Sequence, residues 1–251
     1  MPLLLLSIGN TNTSVALCRN GTLAGAVATF ETVAFGAGAA PPLLRDHPDL
    51  PCFAACVVPE AGRRLAEGRG PPVGFIQAAD VATPDFGAVD TSTLGQDRIA
   101  NAVGALTVHS PPVIVMDCGT AVTTEVVDAE GRFRGGVIAP GRATLAAALH
   151  NDTAQLPAVA LAGSVGPALN GTTREAIQSG VNLGALGMAR HVLGHTRNEL
   201  GCPECPVLIT GGDSAFFVQN LHVAGVLAAP EHLTLRGLAV AAASVMPESM
   251  D

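Results

Sequence analysis

Two short apolar runs, Leu3 to Leu6 and Val113 to Met116, each lead into a polar, Gly-containing turn. A second run follows each turn, Ser14 to Leu17 and Thr123 to Val127, then another turn and a third run. Apolar runs this short, bounded by turn residues, read as strands. Sliding the chain on itself by 110 positions lays Leu5 to Val27 on Val115 to Val137 without a gap; Gly9, Thr13, Gly21, Gly25 and Val27 fall on Gly119, Thr123, Gly131, Gly135 and Val137. Asn20-Gly21 is a strong hairpin signal, and Ala129-Glu130-Gly131 again places Gly where φ can be positive. Each half is therefore expected to open with a three-stranded antiparallel meander.

Further elements follow each meander. In the first half the pattern predicts a strand over Cys52 to Val58, a helix over Glu60 to Glu67, a strand over Val73 to Ile76 and a helix from Gln96 to Val108. In the second it predicts helices over Ala143 to His150 and Thr173 to Leu200, a strand over Val207 to Thr210 and a last helix over Leu233 to Val245. The expected class is α/β, with two duplicated domains, 1–110 and 111–251, meeting near His109-Ser110-Pro111-Pro112 and forming a cleft faced by the first turn of each.

Composition narrows the chemistry. Of 251 residues 13 are Arg and none is Lys, Tyr or Trp. Without Lys there is no Schiff base and no lysine-bearing phosphate loop. A net charge of −8 and the lack of stacking aromatics argue against nucleic acid as a partner. Mean hydropathy is +0.40, yet the longest uncharged stretches, Thr153 to Thr173 and Ile99 to Met116, are broken by Pro and polar residues and could not span a bilayer. The chain reads as soluble and cytoplasmic. Its six cysteines are expected to be reduced thiols; Cys202-Pro203-Glu204-Cys205 has metal-ligand spacing but lacks a convincing second pair. The seven histidines read as scattered, without metal spacing.

Phosphate chemistry must then rest on backbone N–H groups, Arg and metal. Ser7-Ile8-Gly9-Asn10-Thr11-Asn12-Thr13-Ser14 and Asp117-Cys118-Gly119-Thr120 are turns in which Gly admits close approach and small polar groups donate to phosphate oxygens. Asp117, ending a strand, can hold Mg²⁺ or a monovalent cation there. In Leu94-Gly95-Gln96-Asp97-Arg98, Asp97 either complements a helix dipole or acts as a general base for a substrate hydroxyl, with Arg98 gripping a carboxylate or phosphate. Thr210-Gly211-Gly212-Asp213 is either an ordinary strand-to-helix turn or a place where backbone meets a nucleoside. Thr173, on local grounds, reads as a helix N-cap.

These segments, with Cys56-Val57-Val58-Pro59, Gly135-Gly136-Val137-Ile138-Ala139-Pro140-Gly141, Leu156-Pro157 and Thr173 before Ala176-Ile177-Gln178-Ser179-Gly180, occur in an order that resembles the type III pantothenate kinases. The resemblance implies an actin-like, sugar-kinase and Hsp70-type fold of two ribonuclease H-like domains, working as a homodimer. It implies transfer of phosphate from ATP to pantothenate, the first step of coenzyme A synthesis, with Mg²⁺ or Mn²⁺ and K⁺ or NH₄⁺. By matching position, Ser7, Ile8, Gly9, Asn10, Thr11, Asn12, Thr13, Ser14 and Thr120 would bind ATP. Gly95, Gln96, Arg98 and Thr173 would contact pantothenate, Asp97 would accept the proton, and Asp117 would hold the monovalent cation.

Three positions depart from the family pattern. Ser7 stands where relatives usually carry Asp, so support for Mg²⁺ and the ATP phosphates is expected to be weaker. No Tyr precedes the Gly-Gln-Asp-Arg segment, and Thr32 to Leu44 lacks the usual charged, Arg-containing character. The alternatives these departures leave are a catalytically weakened homologue acting as a regulator or ligand-binding protein, and a kinase for another small hydroxylated substrate.

Overall fold

The computed structural model describes residues 1–36, 42–68 and 71–245. The part of Thr32 to Leu44 that spans 37–41 lies outside the described residues. The opening meander comprises β1 (Leu3–Ile8), β2 (Asn12–Arg19) and β3 (Thr22–Glu31), with short helices α1 (Thr32–Gly36) and α2 (Pro42–Asp46) after it. Then come β4 (Cys52–Cys56), α3 (Pro59–Glu67), β5 (Val73–Phe75) and α4 (Gln96–Leu106). Strand order is β3-β2-β1-β4-β5. β1 runs antiparallel to β2 and parallel to β4, and both its faces are covered, which is why Leu3 to Leu6 is apolar throughout instead of alternating. Leu4, Leu6 and Ile8 pack with Leu44, Ala61 and Leu65 on one face.

The second set comprises β6 (Val113–Cys118), β7 (Ala121–Val127), β8 (Ile138–Pro140), α5 (Arg142–Asn151), α6 (Thr173–Glu199), β9 (Val207–Thr210), α7 (Ser214–Asn220), β10 (Val226–Ala228) and α8 (Leu233–Val245). Its strand order, β10-β9-β6-β7-β8, is the order of the first sheet read from the other edge. The duplication is thus one of topology as well as sequence. Gly21, Gly25, Gly131 and Gly135 have φ of 71°, 77°, 76° and 83°, so the matched glycines occupy matched left-handed positions.

The ungapped match fails at one point. Ser7 pairs with Ser14 and Ile8 with Thr13, whereas Asp117 pairs with Thr123 and Cys118 with Val122. The second turn is therefore one residue shorter, and Thr123 corresponds to Ser14, not to Thr13. The β2–β3 ladder is irregular between Val15 and Leu17, with the extra residues on β3.

Contacts divide the chain into two units, but not at a single boundary near residues 109–112. Ala129–Arg134 and the stretch from Glu231 group with Met1–Pro111; Pro112–Asp128 and Gly135–Pro230 form the other unit. The physical reason lies in glycine. A methyl group on Gly237 would strike the Ala100 carbonyl of α4, and one on Gly104 would sit 2.6 Å from the Leu233 carbonyl of α8. The two helices meet backbone to backbone, and Thr234 Oγ1 donates to Asn101 Oδ1 at 2.7 Å. α8 also packs on β1, β3 and β4. Phe133, fully buried, stacks 4.9 Å from Phe86, and its N–H donates to the Asp85 carbonyl at 2.7 Å.

Alanine for glycine in a helix ordinarily stabilises by about 0.5–1 kcal/mol. Gly184 of α6 is exposed with nothing near its missing Cβ, so Gly184→Ala is expected to raise the urea midpoint. Gly237→Ala is expected to lower it, by about 1–3 kcal/mol of overpacking; equal effects at the two sites would contradict the α4–α8 contact.

Candidate functional site

In the first unit the candidate residues gather at the carboxyl ends of β1 and β4, where open α/β sheets place their ligands. The Val57 N–H donates to the Ile8 carbonyl at 3.0 Å, tying the end of β4 to that of β1. Gln96 Oε1 accepts the Cys56 N–H at 2.8 Å and brings the start of α4 to the same end. Within the turn, the Gly9 N–H donates to the Asn12 carbonyl at 3.0 Å. Asn10, Thr11 and Asn12 are exposed and Ser7 is half-buried. Two members of the predicted ATP set turn inward: Ile8 is core, and the buried Thr13 hydroxyl bonds Thr32 Oγ1 at 2.9 Å. Ser14 Oγ pairs with Thr29 Oγ1 at 2.9 Å.

Thr32, which no sequence signal marked, locks this turn. Its hydroxyl donates to the Gly9 carbonyl at 2.7 Å and its N–H to the Thr11 carbonyl at 2.9 Å. The backbone of the turn is thus held in one shape by contacts within the protein.

Asp97 lies in the first turn of α4, half-buried. Burial pushes its carboxyl above the usual Asp range; the Arg98 N–H, which it accepts at 2.8 Å, and the Arg98 charge oppose this. A methyl group at Gly95 would sit 2.6 Å from Asp97 Oδ1, so glycine is what lets the carboxylate keep this place. The Arg98 guanidinium lies 6.0 Å from the Phe133 ring. A carboxylate raised by burial yet held by a backbone donor is a competent proton acceptor.

In the second unit the corresponding end of the sheet carries Asp117, half-buried at the close of β6. Gly211, with φ of 94°, presses on both the Asp117 carboxylate and the Cys118 carbonyl, leaving no room for a side chain. The Gly119 N–H donates to the Ala121 carbonyl at 2.9 Å. The Thr120 carbonyl accepts the Gly141 N–H at 2.9 Å and the Thr144 hydroxyl at 2.6 Å, while the Thr120 side chain is exposed. Burial, then the charges of Asp117, Asp213 and Glu125, pushes the Cys118 thiol far up, and only Arg142 opposes them. The strand end is therefore electronegative and dense in oxygen.

Thr173 starts α6 exposed, but it does not cap the helix: Thr172 does, accepting the Glu175 N–H at 3.3 Å and donating to Glu175 Oε2 at 2.7 Å. Cys202 and Cys205 close a turn in which the Cys205 N–H donates to the Cys202 carbonyl at 3.1 Å. Burial and the neighbouring Cys202 push the Cys205 thiol up to about 11. His191 and His195, one turn apart on α6, stack edge to face, 4.5 Å between centroids. Among the described residues no three His, Cys, Asp or Glu side chains converge as a metal set, and no described helix is long and apolar enough to cross a membrane.

Residues 3–195 match the profile of the type III pantothenate kinases. The chain belongs to this family. A type III pantothenate kinase of Treponema pallidum (strain Nichols) is 42% identical over 148 residues, 58% of this chain and 52% of that protein. The chain spans about half the length of the curated relatives it matches. A Baf family protein from Campylobacter jejuni superposes with a TM-score of 0.63 at 18% identity, covering 96% of this chain and 97% of that one. The activator of 2-hydroxyisocaproyl-CoA dehydratase from Clostridium difficile, with bound ADPNP, gives 0.51 at 13%, covering 97% and 94%. These likenesses are of fold. Together with the repeated sheet topology they make this family member an α/β protein with the duplicated, actin-like fold.

Thr32→Val removes the hydroxyl that bonds Gly9 and strands that of buried Thr13. A loss of about 1–3 kcal/mol is expected, read as a lower urea midpoint, together with faster amide exchange at Gly9; an unchanged Gly9 exchange rate would show that Thr32 does not hold the turn.

Proposed function

We propose that this member of the family transfers the γ-phosphoryl group of ATP to the primary hydroxyl of pantothenate, in the cytoplasm and as a homodimer. The observation that carries the reading is Asp97: a half-buried carboxylate, raised by its burial, fixed by Gly95 and the Arg98 N–H, in a segment that lies within the family match. In this role Asp97 accepts the proton of the substrate hydroxyl as the phosphoryl group arrives. Arg98 grips the pantothenate carboxylate; Gly95, Gln96 and Thr173 line the substrate. That Thr173 is not the cap supports giving its hydroxyl to a ligand.

The Ser7 to Ser14 turn and Thr120 bind the ATP phosphates. The N–H groups of the first turn, held by Thr32, and the outward Asn10, Thr11 and Asn12 side chains supply donors without a Lys. The nucleotide bound by a fold neighbour, ADPNP, supports an adenine nucleotide. The oxygen-rich end of β6 fits a hard cation, and Asp117 would hold a monovalent one, K⁺ or NH₄⁺. Mg²⁺ or Mn²⁺ would rest mainly on phosphate oxygens and water, consistent with the absence of a three-residue acidic or imidazole set among the described residues. When bound, these cations supply neutralisation of charge on the transferring phosphoryl oxygens.

The test incubates the protein with ATP, Mg²⁺, K⁺ and pantothenate and measures phosphopantothenate directly. Turnover is expected, with Asp97→Asn losing at least two orders of magnitude in kcat, as befits a positioned base, while pantothenate still binds. No product together with no binding of either substrate would overturn the reading; binding without turnover would favour a ligand-binding homologue. Ser7→Asp is expected to raise turnover and lower the Mg²⁺ concentration needed. Unchanged Mg²⁺ dependence would show that Ser7 does not weaken metal support.

A further inference from the structure

Arg142 joins the turn after β9, α6, α7 and the Ala162 segment, and no sequence signal gave it a role. It opens α5 directly after Gly141, with a side chain 6% exposed. Its Nε donates to Asp213 Oδ2 at 2.7 Å and its Nη2 to Asp213 Oδ1, a bidentate pair. Nη1 donates to Asn182 Oδ1 of α6 at 2.8 Å and to the Ala162 carbonyl at 3.0 Å. The guanidinium lies over the Phe216 ring of α7 at 3.5 Å. Four of the five N–H groups of the fork are committed within the protein and the side chain is buried, so this cation is turned inward and not toward a ligand.

What the fork holds is the Gly211-Gly212-Asp213 turn. Asp213 also donates its N–H to the Cys118 carbonyl at 2.8 Å, next to Asp117. Gly211 meets the Asp117 carboxylate, and Gly141, the residue before Arg142, meets the Gly119 carbonyl with no space for a side chain. Three segments that are far apart in sequence, Asp117 to Thr120, Gly141-Arg142 and Gly211 to Asp213, are thereby fastened into one rigid rim. The Asp213 side chain is 28% exposed, so the clamp reaches the surface at that rim. An apolar side chain could fill the Arg142 cavity at less desolvation cost; only a planar two-pronged donor also fixes the orientation of Asp213.

We propose that Arg142 is a positioning residue for the nucleotide: through Asp213 it holds the Gly211-Gly212 backbone where the nucleoside and its phosphates come into contact with the carboxyl ends of β6 and β9. This rests on the ATP-dependent kinase reading for its ligand, but it is tested by nucleotide binding alone.

The experiment measures the affinity for Mg²⁺-ADPNP by calorimetry, and separately KM for ATP, KM for pantothenate and kcat, in the wild type, Arg142→Lys, Arg142→Met and Asp213→Asn. Urea midpoints and amide exchange at Gly211 to Asp213 accompany each variant. Asp213→Asn keeps the shape and partial exposure of the residue and serves if Arg142→Met does not fold. At least tenfold weaker ADPNP binding is expected in Asp213→Asn, with a matching rise in KM for ATP, an unchanged KM for pantothenate, and faster exchange confined to the turn. Arg142→Lys is expected to lie between, since it keeps the positive charge but replaces the two-pronged fork with a point charge. The double variant Arg142→Met with Asp213→Asn is expected to lose no more than the worse single one. ADPNP affinity within twofold of wild type in folded Asp213→Asn would overturn the proposal, and so would equal rises in both KM values. A wild type that binds ADPNP but makes no phosphopantothenate would overturn the kinase reading and leave this comparison intact.

Discussion

Helices α4 and α8 touch through their backbones, Gly237 against the Ala100 carbonyl and Gly104 against that of Leu233, and the place of Asp97 follows from that contact. α4 carries Asp97 in its first turn, so its axis must be set from outside the sheet as well as from β4. The last helix of the chain does this by returning to the first unit. The same device recurs in the second unit, where Gly141 lies against Gly119 and Gly211 against Asp117. A side chain at any of these glycines would push apart segments that must stay within hydrogen-bond reach. Direct backbone contact removes the slack that intervening side chains would leave, and rigid placing of donors and carboxylates is what phosphoryl transfer asks of a protein.

The proposed phosphate handling without Lys has a structural counterpart in these turns. Of the arginines near the strand ends, Arg142 is consumed by Asp213, Asn182 and the Ala162 carbonyl, while Arg98 lies beside Phe133 and supplies charge to the Asp97 neighbourhood. With Arg98 proposed for the substrate carboxylate, what remains for phosphate is largely backbone. Thr32 gives that backbone a defined shape in the first unit, and the Thr120 carbonyl, held by Gly141 and Thr144, does so in the second. Around Cys118 the Asp213 charge is met by Arg142, and Asp117 and Glu125 add negative charge that a cation would relieve.

Much of this was legible in the residues because it is periodic or local. The repeated strand pattern announces two sheets of like topology, and Asn20-Gly21 and Gly131 mark turns through a positive φ that other residues resist. Asp97, Asp117 and the two turns stand out as polar groups at the ends of apolar runs. What the pattern could not convey is long-range pairing. Arg142 and Asp213 are 71 positions apart and each looks like an ordinary helix-end charge. Thr32 opens a segment remarkable in sequence only for lacking charge, and Thr172 and Thr173 are equivalent as caps until the helix start is known. The shorter second turn was hidden because the glycines on either side of it, Gly9 with Gly119 and Gly21 with Gly131, still match without a gap. The return of α8 to the first unit depends on where two glycines meet, which no periodicity encodes.

The central claim is that burial makes the Asp97 carboxylate the proton acceptor, and the pH dependence of kcat/KM for pantothenate tests it most directly, since that ratio reports the free enzyme. A base works ionised, and a carboxyl raised by burial loses its charge at higher pH than usual. The acid limb is therefore predicted to fall with a midpoint clearly above the value of about 3.9 for an ordinary Asp, and to vanish along with turnover in Asp97→Asn. A rate that holds steady down to that ordinary value, or an acid limb that persists in residual Asp97→Asn activity, would contradict the assignment.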